Sequence, residues 1–512
     1  MKKRIVSPLI LCTMLLAGCS NADVETTQET DSTAETTAAE SAKTEEETAP
    51  AEEEELLPKL TWETPEKDYE GYEFHILTRG WAPAKDEMGT DELNGEMVND
   101  EVYNRNLSVG AKYNMTVTRY YNETTNGHGP DNVKTMIQAG DKSADMIVGS
   151  LFGMMPLTTD KLFYDLNTLP YLDLSMPCWS QGLRETATVS GKLFAATGSI
   201  ALTYFKRNYA IFFNKALSEK YGINSADVYD KVISGDWTLD EMFTLTKDIY
   251  QDVDGDGEPD DSDIYGIGIW LNCMNDGWWS ACDIPILKHD ENDQLYLDVD
   301  TDKLTTVVDK LNSYIWNNAG VCPMTEDVIY SREISVDNDN DINIFYDDQI
   351  CFTTMRIEFT EREKMRNMDD YGVLPYPKYD TAQEDYYGFV HDAVSMVMIP
   401  VSCEDSEMSA LVMQDMAVEG HNNIMPKYYE VVLTTKYIRD AESVEMLNII
   451  FRNTKFDSGW VFCNSMGSLP QKLLREQVWQ NQNNIASKYK SLQKLVGKNL
   501  ERINKAYSEE LT

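Results

Sequence analysis

Residues 236–266 read DWTLDEMFTLTKDIYQDVDGDGEPDDSDIYG, a helix signal, an acidic loop and a strand signal in direct succession. Thr238 is placed to cap the helix, and Glu241 three residues on completes a capping box. Trp237 and Met242 sit where a hydrophobic staple holds the entry angle. Leu239, Met242, Phe243, Thr246, Ile249 and Tyr250 then recur at helical spacing, which predicts one buried face. Directly after them, Asp252, Asp254 and Asp256 occupy positions 1, 3 and 5 of a DxDxDG loop, with Gly257 at the turn. Glu258 offers its carbonyl at position 7, Asp260 stands at 9 and Asp263 at 12. A hard cation takes about six to eight oxygens, and alternate carboxylates on a tight loop converge on one point, so the loop predicts bound Ca2+. It departs from an EF-hand in two ways: Asp263 replaces the usual Glu, and Ile264–Trp270 (IYGIGIW) reads as a strand where a second helix would follow. The plain alternative is a solvated acidic turn.

At the N-terminus, Lys2, Lys3 and Arg4 precede an apolar run from Ile5 to Leu16 and the tetrapeptide Leu16-Ala17-Gly18-Cys19. The run is shorter than the ~20 residues of a membrane-spanning helix. Residues 1–18 therefore read as a lipoprotein signal peptide, with Cys19 becoming the lipidated (palmitate-type) N-terminal residue on the outer face of the cell membrane. Residues 19–68 read as an acidic Thr/Glu-rich disordered tether. From Asp23 to Glu55, thirteen acidic residues face one lysine, a net of −12 within the chain's −43. The folded part is thus acidic as well, which disfavours nucleic acid and anionic lipid as partners.

The remaining stretch of about 440 residues exceeds one core and predicts two lobes. Seven cysteines follow the signal, an odd number without CxxC spacing; buried thiols are expected, with Cys273 and Cys282 the one pair suited to a bridge. Tyr72–Thr78, Asn114–Tyr120 and Ala144–Val148 read as strands, alternating with a helix over Asn94–Lys112 that presents Val98, Val102 and Val109. Strand and helix in alternation predict a parallel sheet, whose ligands gather at the carboxyl ends of strands. Arg79, Trp81, Gly149 and Ser150 stand there. Further strands are expected through Phe213, over Ile350–Met355, Tyr371–Tyr376 and Ala393–Ile399, and helices over Thr301–Trp316, Ser406–Val418, Ser443–Phe451 and Ile485–Tyr507.

The segments ADMIV, GKLFAAT with YAIFFNKALSEKYGI, the DWTLDEM-to-YGIG block, YGVLPYPKYD and HDAVSMVMIP together resemble the family 1 extracellular solute-binding proteins of ABC importers, over roughly Glu70–Tyr507. PYPKYD, MPKYYEVVL and KYIRDAESVEMLNIIF are similar to a branch of lipoproteins whose solute is unassigned. The resemblance implies an α/β, two-lobed periplasmic-binding-protein type II-like fold, each lobe a mixed sheet flanked by helices, closing on a ligand. It places lobe I at 69–205 and 386–433 and lobe II at 206–385 and 434–512, with crossings near Leu202–Phe213, Tyr386 and Leu433. The calcium loop then lies in lobe II at a helix-to-strand turn, in a structural role.

Sugar capture calls for aromatic faces and for planar side chains that pair with hydroxyls. Trp81, Tyr204, Trp270, Trp278 and Trp279 are candidates for stacking, and Arg79, Arg356 and Asp392 for hydrogen bonding; Trp237 and Trp460 are assigned to the core. The expected function is capture of a carbohydrate, an oligosaccharide, by a monomeric lipoprotein that delivers it to ABC permease subunits. Rival expectations are an oligopeptide ligand, a binding protein that reports to a membrane sensor, and a surface glycan-processing enzyme. No catalytic residue is assigned: GxSxG, HExxH, Walker and GxGxxG motifs are absent, and His75, His128, His289, His391 and His421 lack metal spacing.

Overall fold

A computed structural model describes residues 57–122, 128–325, 334–335, 343–368, 370–434 and 441–509. The signal segment, Cys19 and the tether up to residue 56 lie outside them. Thirteen strands are named along the described chain: β1 Tyr72–Arg79, β2 Met115–Asn122, β3 Met146–Ser150, β4 Tyr209–Asn214, β5 Tyr250–Gln251, β6 Ile264–Trp270, β7 Leu287–His289, β8 Leu295–Leu297, β9 Val321–Thr325, β10 Ile334–Ser335, β11 Ile350–Arg356, β12 Tyr371–Leu374 and β13 Ser395–Met398.

A smaller sheet runs β13-β3-β1-β2 and a larger one β10-β9-β6-β11-β4-β12, with β5 added to β6. Both are mixed. In the smaller, β1 is parallel to β2 and β3, and β13 returns antiparallel to β3. In the larger, β6, β9 and β11 are parallel, and β4 is antiparallel to β11 and β12. Every residue of β3, β4, β11 and β12 is buried. Strands covered on both faces read as unbroken apolar runs, which is why MIVGS and YAIFFN carry so little polarity. The architecture is α/β, with helices flanking two mixed sheets.

Between the sheets the chain forms a narrow ribbon. Asn208 bridges Val390, and Gly388 bridges Thr454. The amide of Tyr209 donates to the Phe389 carbonyl at 2.9 Å and that of His391 to the Arg207 carbonyl at 3.0 Å. On the other side, Gly388 N–H donates to Asn453 O at 2.9 Å, and Lys455 N–H to Gly388 O at 3.0 Å. Residues 207–209 and 389–391 thus lie side by side. The third member of the ribbon is residues 453–455, further along than the Leu433 expected, because Leu433 falls inside the Met425–Thr434 helix.

The acidic loop is also set differently. The helix ends at Thr246, and Ile249 and Tyr250 leave its face. Tyr250 and Gln251 pair antiparallel with Tyr265 and Ile264, so the loop closes a β-hairpin and not a helix-to-strand turn. Gly266 is the cause. Its amide donates to the carbonyls of Ile249 and Gly320, and the Thr246 carbonyl lies against it so closely that a Cβ would overlap that oxygen. The cap is as expected on one side: Thr238 Oγ1 accepts from Glu241 N–H at 3.2 Å, while the Glu241 carboxylate pairs with Lys231 at 2.8 Å and does not close the box.

Two further expectations change. Residues 57–68 do not belong to a free tether: Leu57, Leu60 and Trp62 pack on the core, and Asn422 holds both backbone polar groups of Leu60 at 2.8 and 2.9 Å. Cys273 and Cys282 are not bridged, and none of the seven described cysteines is part of a disulfide.

The close approach at Gly266 yields a paired prediction. Gly266→Ala destabilises by ~1–3 kcal/mol through overpacking against backbone. Gly497→Ala, facing open space within the Ile485–Ser508 helix, stabilises by up to ~1 kcal/mol. Urea denaturation of the two variants reads both signs.

Candidate functional site

The carboxyl ends of β1, β6 and β11 and the start of β4 point toward the ribbon, and charged side chains from distant segments meet there. Arg356, the last residue of β11, donates from Nε to Glu358 Oε1 at 2.6 Å. Arg207, on the ribbon, reaches the same oxygen from Nη1 at 3.0 Å. Both guanidiniums are 4% exposed and the carboxylate 15%. Burial raises the Glu358 pKa, but the attraction of Arg207 and Arg356 outweighs it, so the carboxyl stays below its usual range and ionised. Burial likewise opposes the Arg356 charge, and Glu358 more than offsets it.

Arg79, at the end of β1, is fully buried; its Nη2 donates to Ala393 O at 2.6 Å and Ser395 Oγ at 2.8 Å. Behind it Glu87 accepts from Ser395 Oγ, from Thr203 N–H at 3.1 Å and from Thr203 Oγ1 at 2.9 Å, which fixes the turn that leads into the ribbon. Trp81 is half-buried, and two guanidiniums lie over its ring, Arg207 at 4.3 Å and Arg79 at 5.0 Å from the centroid. These are cation–π distances.

The Asp392 side chain is 18% exposed, and its carboxylate accepts no hydrogen bond from a donor among the described residues, while its backbone carbonyl accepts from Phe152 N–H at 3.0 Å. Burial raises its pKa, and the charges of Arg475, His128, Arg207 and Arg356 pull against that. Its neighbour His391 stands 3.1 Å away, but His391 Nδ1 accepts the Ala393 N–H at 2.9 Å, so the ring proton belongs on Nε2. Burial, then Arg356, Arg207, Arg475 and Arg79, hold the imidazole well below its usual pKa, and it is neutral. The pair is therefore not an ion pair. On the far wall Arg475 grips Asp276 with Nε at 2.9 Å and Nη2 on the second oxygen, a bidentate fork.

Of the residues expected from sequence, Arg79, Trp81, Arg356 and Asp392 meet here. The others do not. Trp270, Trp278 and Trp279 are at most 1% exposed. Trp278 Nε1 donates to Asn275 Oδ1 and Trp279 Nε1 to Pro470 O, so their faces belong to the core of the larger-sheet half. Tyr204 stacks parallel on Phe456 at 6.3 Å. Ser150 is spent on a helix cap, accepting from Gly153 N–H and donating to His128 O, while Gly149 is buried where a Cβ would meet Met154. Arg207, Glu358, Arg475, Asp276 and Glu87 went unseen in the sequence. Arg207 had a signal, immediately before the apolar strand and inside the expected crossing, and Glu358 lies two residues past Arg356. Arg475 had none.

In the hairpin loop, carboxylate oxygens of Asp252, Asp254 and Asp256 lie within 4.8 Å of one another, all on exposed residues. Asp252 accepts from Gly255 and Gly257 N–H, which curls the loop around it. The other expected ligands stand outside that group. Asp260 accepts from Ser262 N–H and Oγ. Asp263 is buried, taken up by Tyr250 OH at 2.9 Å and Val253 N–H at 3.0 Å. The three exposed carboxylates fit the oxygen-donor chemistry of calcium, and Glu258 adjoins them in sequence.

A Ser458–His289–Asp293 chain has the connectivity of a hydrolytic triad, with His289 Nδ1 2.8 Å from Asp293 and Nε2 3.3 Å from Ser458 Oγ. Ser458 is 2% exposed, however, and its hydroxyl donates to Thr186 O at 2.7 Å, so it presents no nucleophile.

No protein-family model matches the sequence, and no curated protein matches it. Solved structures do match in fold. UspC of M. tuberculosis aligns at 12% identity and TM-score 0.53, over 83% of this chain and all of that one. The maltose/maltodextrin-binding domain MalE of Bdellovibrio bacteriovorus, bound to maltotriose, aligns at 11% identity and 0.50, over 84% of this chain and 100% of that one. A chain from a study of a de novo designed esterase aligns at 14% identity and 0.51, over 85% and 99%. This chain therefore shares the mixed α/β fold of type II-like solute-binding proteins, without close sequence kinship to any of the three.

The neutral His391 gives a pH dependence with a definite sign. Its folded pKa lies below the usual 6.5, so below pH 6.5 the unfolded state binds more protons and stability falls with pH. The loss approaches about 1.4 kcal/mol per unit until the folded pKa is reached. His391→Asn, which keeps an acceptor for Ala393 N–H, removes this contribution. Urea titrations of both proteins at pH 7 and pH 5.5 should show the wild type losing more stability than the variant.

Proposed function

We propose that this chain is a monomeric, non-catalytic solute-binding lipoprotein that captures a carbohydrate, an oligosaccharide, between its two sheets. Tethered through Cys19 on the outer face of the membrane, it delivers the solute to the permease subunits of an ABC importer. The observation that carries this reading is the meeting of Trp81 with Arg79, at the end of β1, and with Arg207 on the ribbon, which shares Glu358 with Arg356 at the end of β11 and acts on Asp392 before β13. An indole face and planar polar groups are what a pyranose requires. The MalE domain bound to maltotriose has the same fold.

Electrostatics favour hydroxyls over a peptide's ammonium group. Asp392 lies within the field of Arg475, Arg207 and Arg356, and Glu358 and Asp276 are already gripped by guanidiniums, so no carboxylate is left with net negative surroundings. A hydroxyl donates to Asp392 and accepts from arginine at once. The same pairing argues against hydrolysis: Glu358 is held ionised and cannot serve as a general acid. No described helix is long and apolar enough to cross a membrane, which leaves attachment to Cys19 in this reading.

The test is a thermal-shift screen of the purified chain against oligosaccharides and peptides, with products followed by chromatography. A native-state ligand raises Tm by mass action. A shift with a saccharide and no turnover is expected; a shift with peptides alone sinks the carbohydrate reading, and turnover sinks the non-catalytic one.

Structural Ca2+ at Asp252, Asp254 and Asp256, aided by the Glu258 carbonyl, is part of the same proposal, with Asp263 and Asp260 ordering the loop from behind. Millimolar calcium should raise Tm relative to chelator, and Asp252→Asn with Asp256→Asn should abolish the difference. Equal Tm with calcium and chelator in the wild type reduces the loop to an acidic turn.

A further inference from the structure

We propose that the outer edge of β2, with the groove between that strand and the Met97–Lys112 helix, receives an extended, basic segment of another polypeptide as an added strand. This is independent of what the cleft between the sheets holds.

β2 ends its sheet, and among the described residues no strand pairs with its outer side. Nor does any backbone bond outside the ladder with β1 reach residues 115–122 from the described chain. An edge strand of eight residues, about 27 Å long, therefore leaves a row of N–H and C=O groups without protein partners. Its sequence, MTVTRYYN, has neither proline nor lysine to block pairing. Its one charge is turned aside: Arg119, 10% exposed, donates to Gly89 O at 2.8 Å and to Asp86 at 3.1 Å and pairs with Asp91 at 3.5 Å.

Beside this edge lies a groove of about 530 Å3, the size of a ligand pocket. The helix lines it with Tyr103, Leu107 and Gly110, β2 with Val117 and Arg119, and the preceding loop with Gly89. A Cβ on Gly110 would stand 2.7 Å from the Met115 carbonyl oxygen, so glycine is what lets the helix come this near the strand. Met115 and Val117 are buried on the helix side, and Thr116 and Thr118 are exposed on the other. A strand added to such an edge gains main-chain bonds and sends alternate side chains to the helix side, where the groove takes them.

Exposed apolar side chains gather at the same place. Of nine large ones exposed among the described residues, four are Leu93, Met97, Leu107 and Tyr121. Leu107, 56% exposed, lines the groove. Tyr121 shares the helix-side face of β2 with Arg119, whose guanidinium stands 5.3 Å from its ring. Leu93 and Met97 flank the loop that Asn99 Nδ2 ties to the helix through Glu92 O at 3.1 Å. Apolar side chains gathered about a groove mark an interaction surface, whereas scattered ones do not.

Charge selects the occupant. Residues 85–97 place Asp86, Asp91, Glu92 and Glu96 at the surface against Lys85 alone, and the Asp91 side chain is 87% exposed. A second copy of the chain would set this acidic lip against itself. The chain's own Asp23–Glu55 stretch, with thirteen acidic residues to one lysine, is repelled by it. A basic segment is drawn in, and its backbone meets the open edge.

The test uses the whole purified chain at about 0.15 M salt, where distant charges are screened. The probes are a labelled hexapeptide of alternating lysine and valine, its glutamate counterpart, and two lysine versions N-methylated on one or the other alternate set of amides. By fluorescence anisotropy the lysine peptide should bind at least about tenfold more tightly than the glutamate one. One N-methylated version should lose at least about tenfold and the other stay within a factor of about three, since only one edge of an added strand faces β2. Hydrogen exchange should slow at β2 amides when the lysine peptide is bound. Leu107→Lys, at an exposed position, should cost at least about tenfold, while Leu495→Lys, the same charge change 48% exposed on the Ile485–Ser508 helix, should stay within a factor of about three. No binding at millimolar peptide, equal affinity of the two N-methylated versions, or equal effects of the two substitutions with native Tm overturns the proposal. So does self-association in sedimentation that protects β2 amides, which would assign the edge to a second copy. Each of these outcomes leaves carbohydrate capture standing.

Discussion

Glu358 holds two guanidiniums on one carboxylate oxygen, and through them it fastens the ribbon to the end of the larger sheet. Arg356 closes β11, and Arg207 belongs to the segment that runs between the sheets. The backbone repeats the link, since Ile357 N–H donates to Asn208 O at 3.0 Å. A buried carboxylate is tolerated only when its charge is matched, and here the match comes from the ribbon on one side and from the end of β11 on the other. The position of the joining segment and the polarity of the site are thus one arrangement.

The smaller sheet reaches the same place by a different route. Glu87 binds Thr203 and Ser395, Ser395 binds Arg79, and Arg79 shares the Trp81 ring with Arg207. This chain of contacts ties β1, β13 and the entry to the ribbon into one unit. Arg105 adds a cross-brace from the Met97–Lys112 helix, donating to the carbonyls of Glu87 and Ile200. The half-buried Trp81 ring therefore lies against guanidiniums that are themselves held by polar bonds.

Much of the fold was legible because local signals agreed with the global plan. Apolar runs such as MIVGS and YAIFFN became doubly covered strands, and Thr238 capped the helix that follows it. The reading of the tryptophans failed for a physical reason. Position at a strand end says nothing about which way a ring turns, and Trp270, Trp278 and Trp279 turn inward, where burial of a large apolar surface outweighs any gain from facing solvent. The hairpin failed for another: a helical period persisted to Tyr250, but Gly266 brought a backbone so close that the segment paired as a strand.

By itself the amino-acid sequence determined what local chemistry can determine: the strands and helices, the acidic triad of Asp252, Asp254 and Asp256, and Arg79 and Trp81 at the end of the first strand. Only the tertiary structure decided the site. Arg207, Arg356, Glu358, Asp276, Arg475 and Asp392 come from segments spread over most of the folded chain, and no spacing in the sequence links them. Charges act through space and through the loss of water around them, and both are properties of the assembled fold.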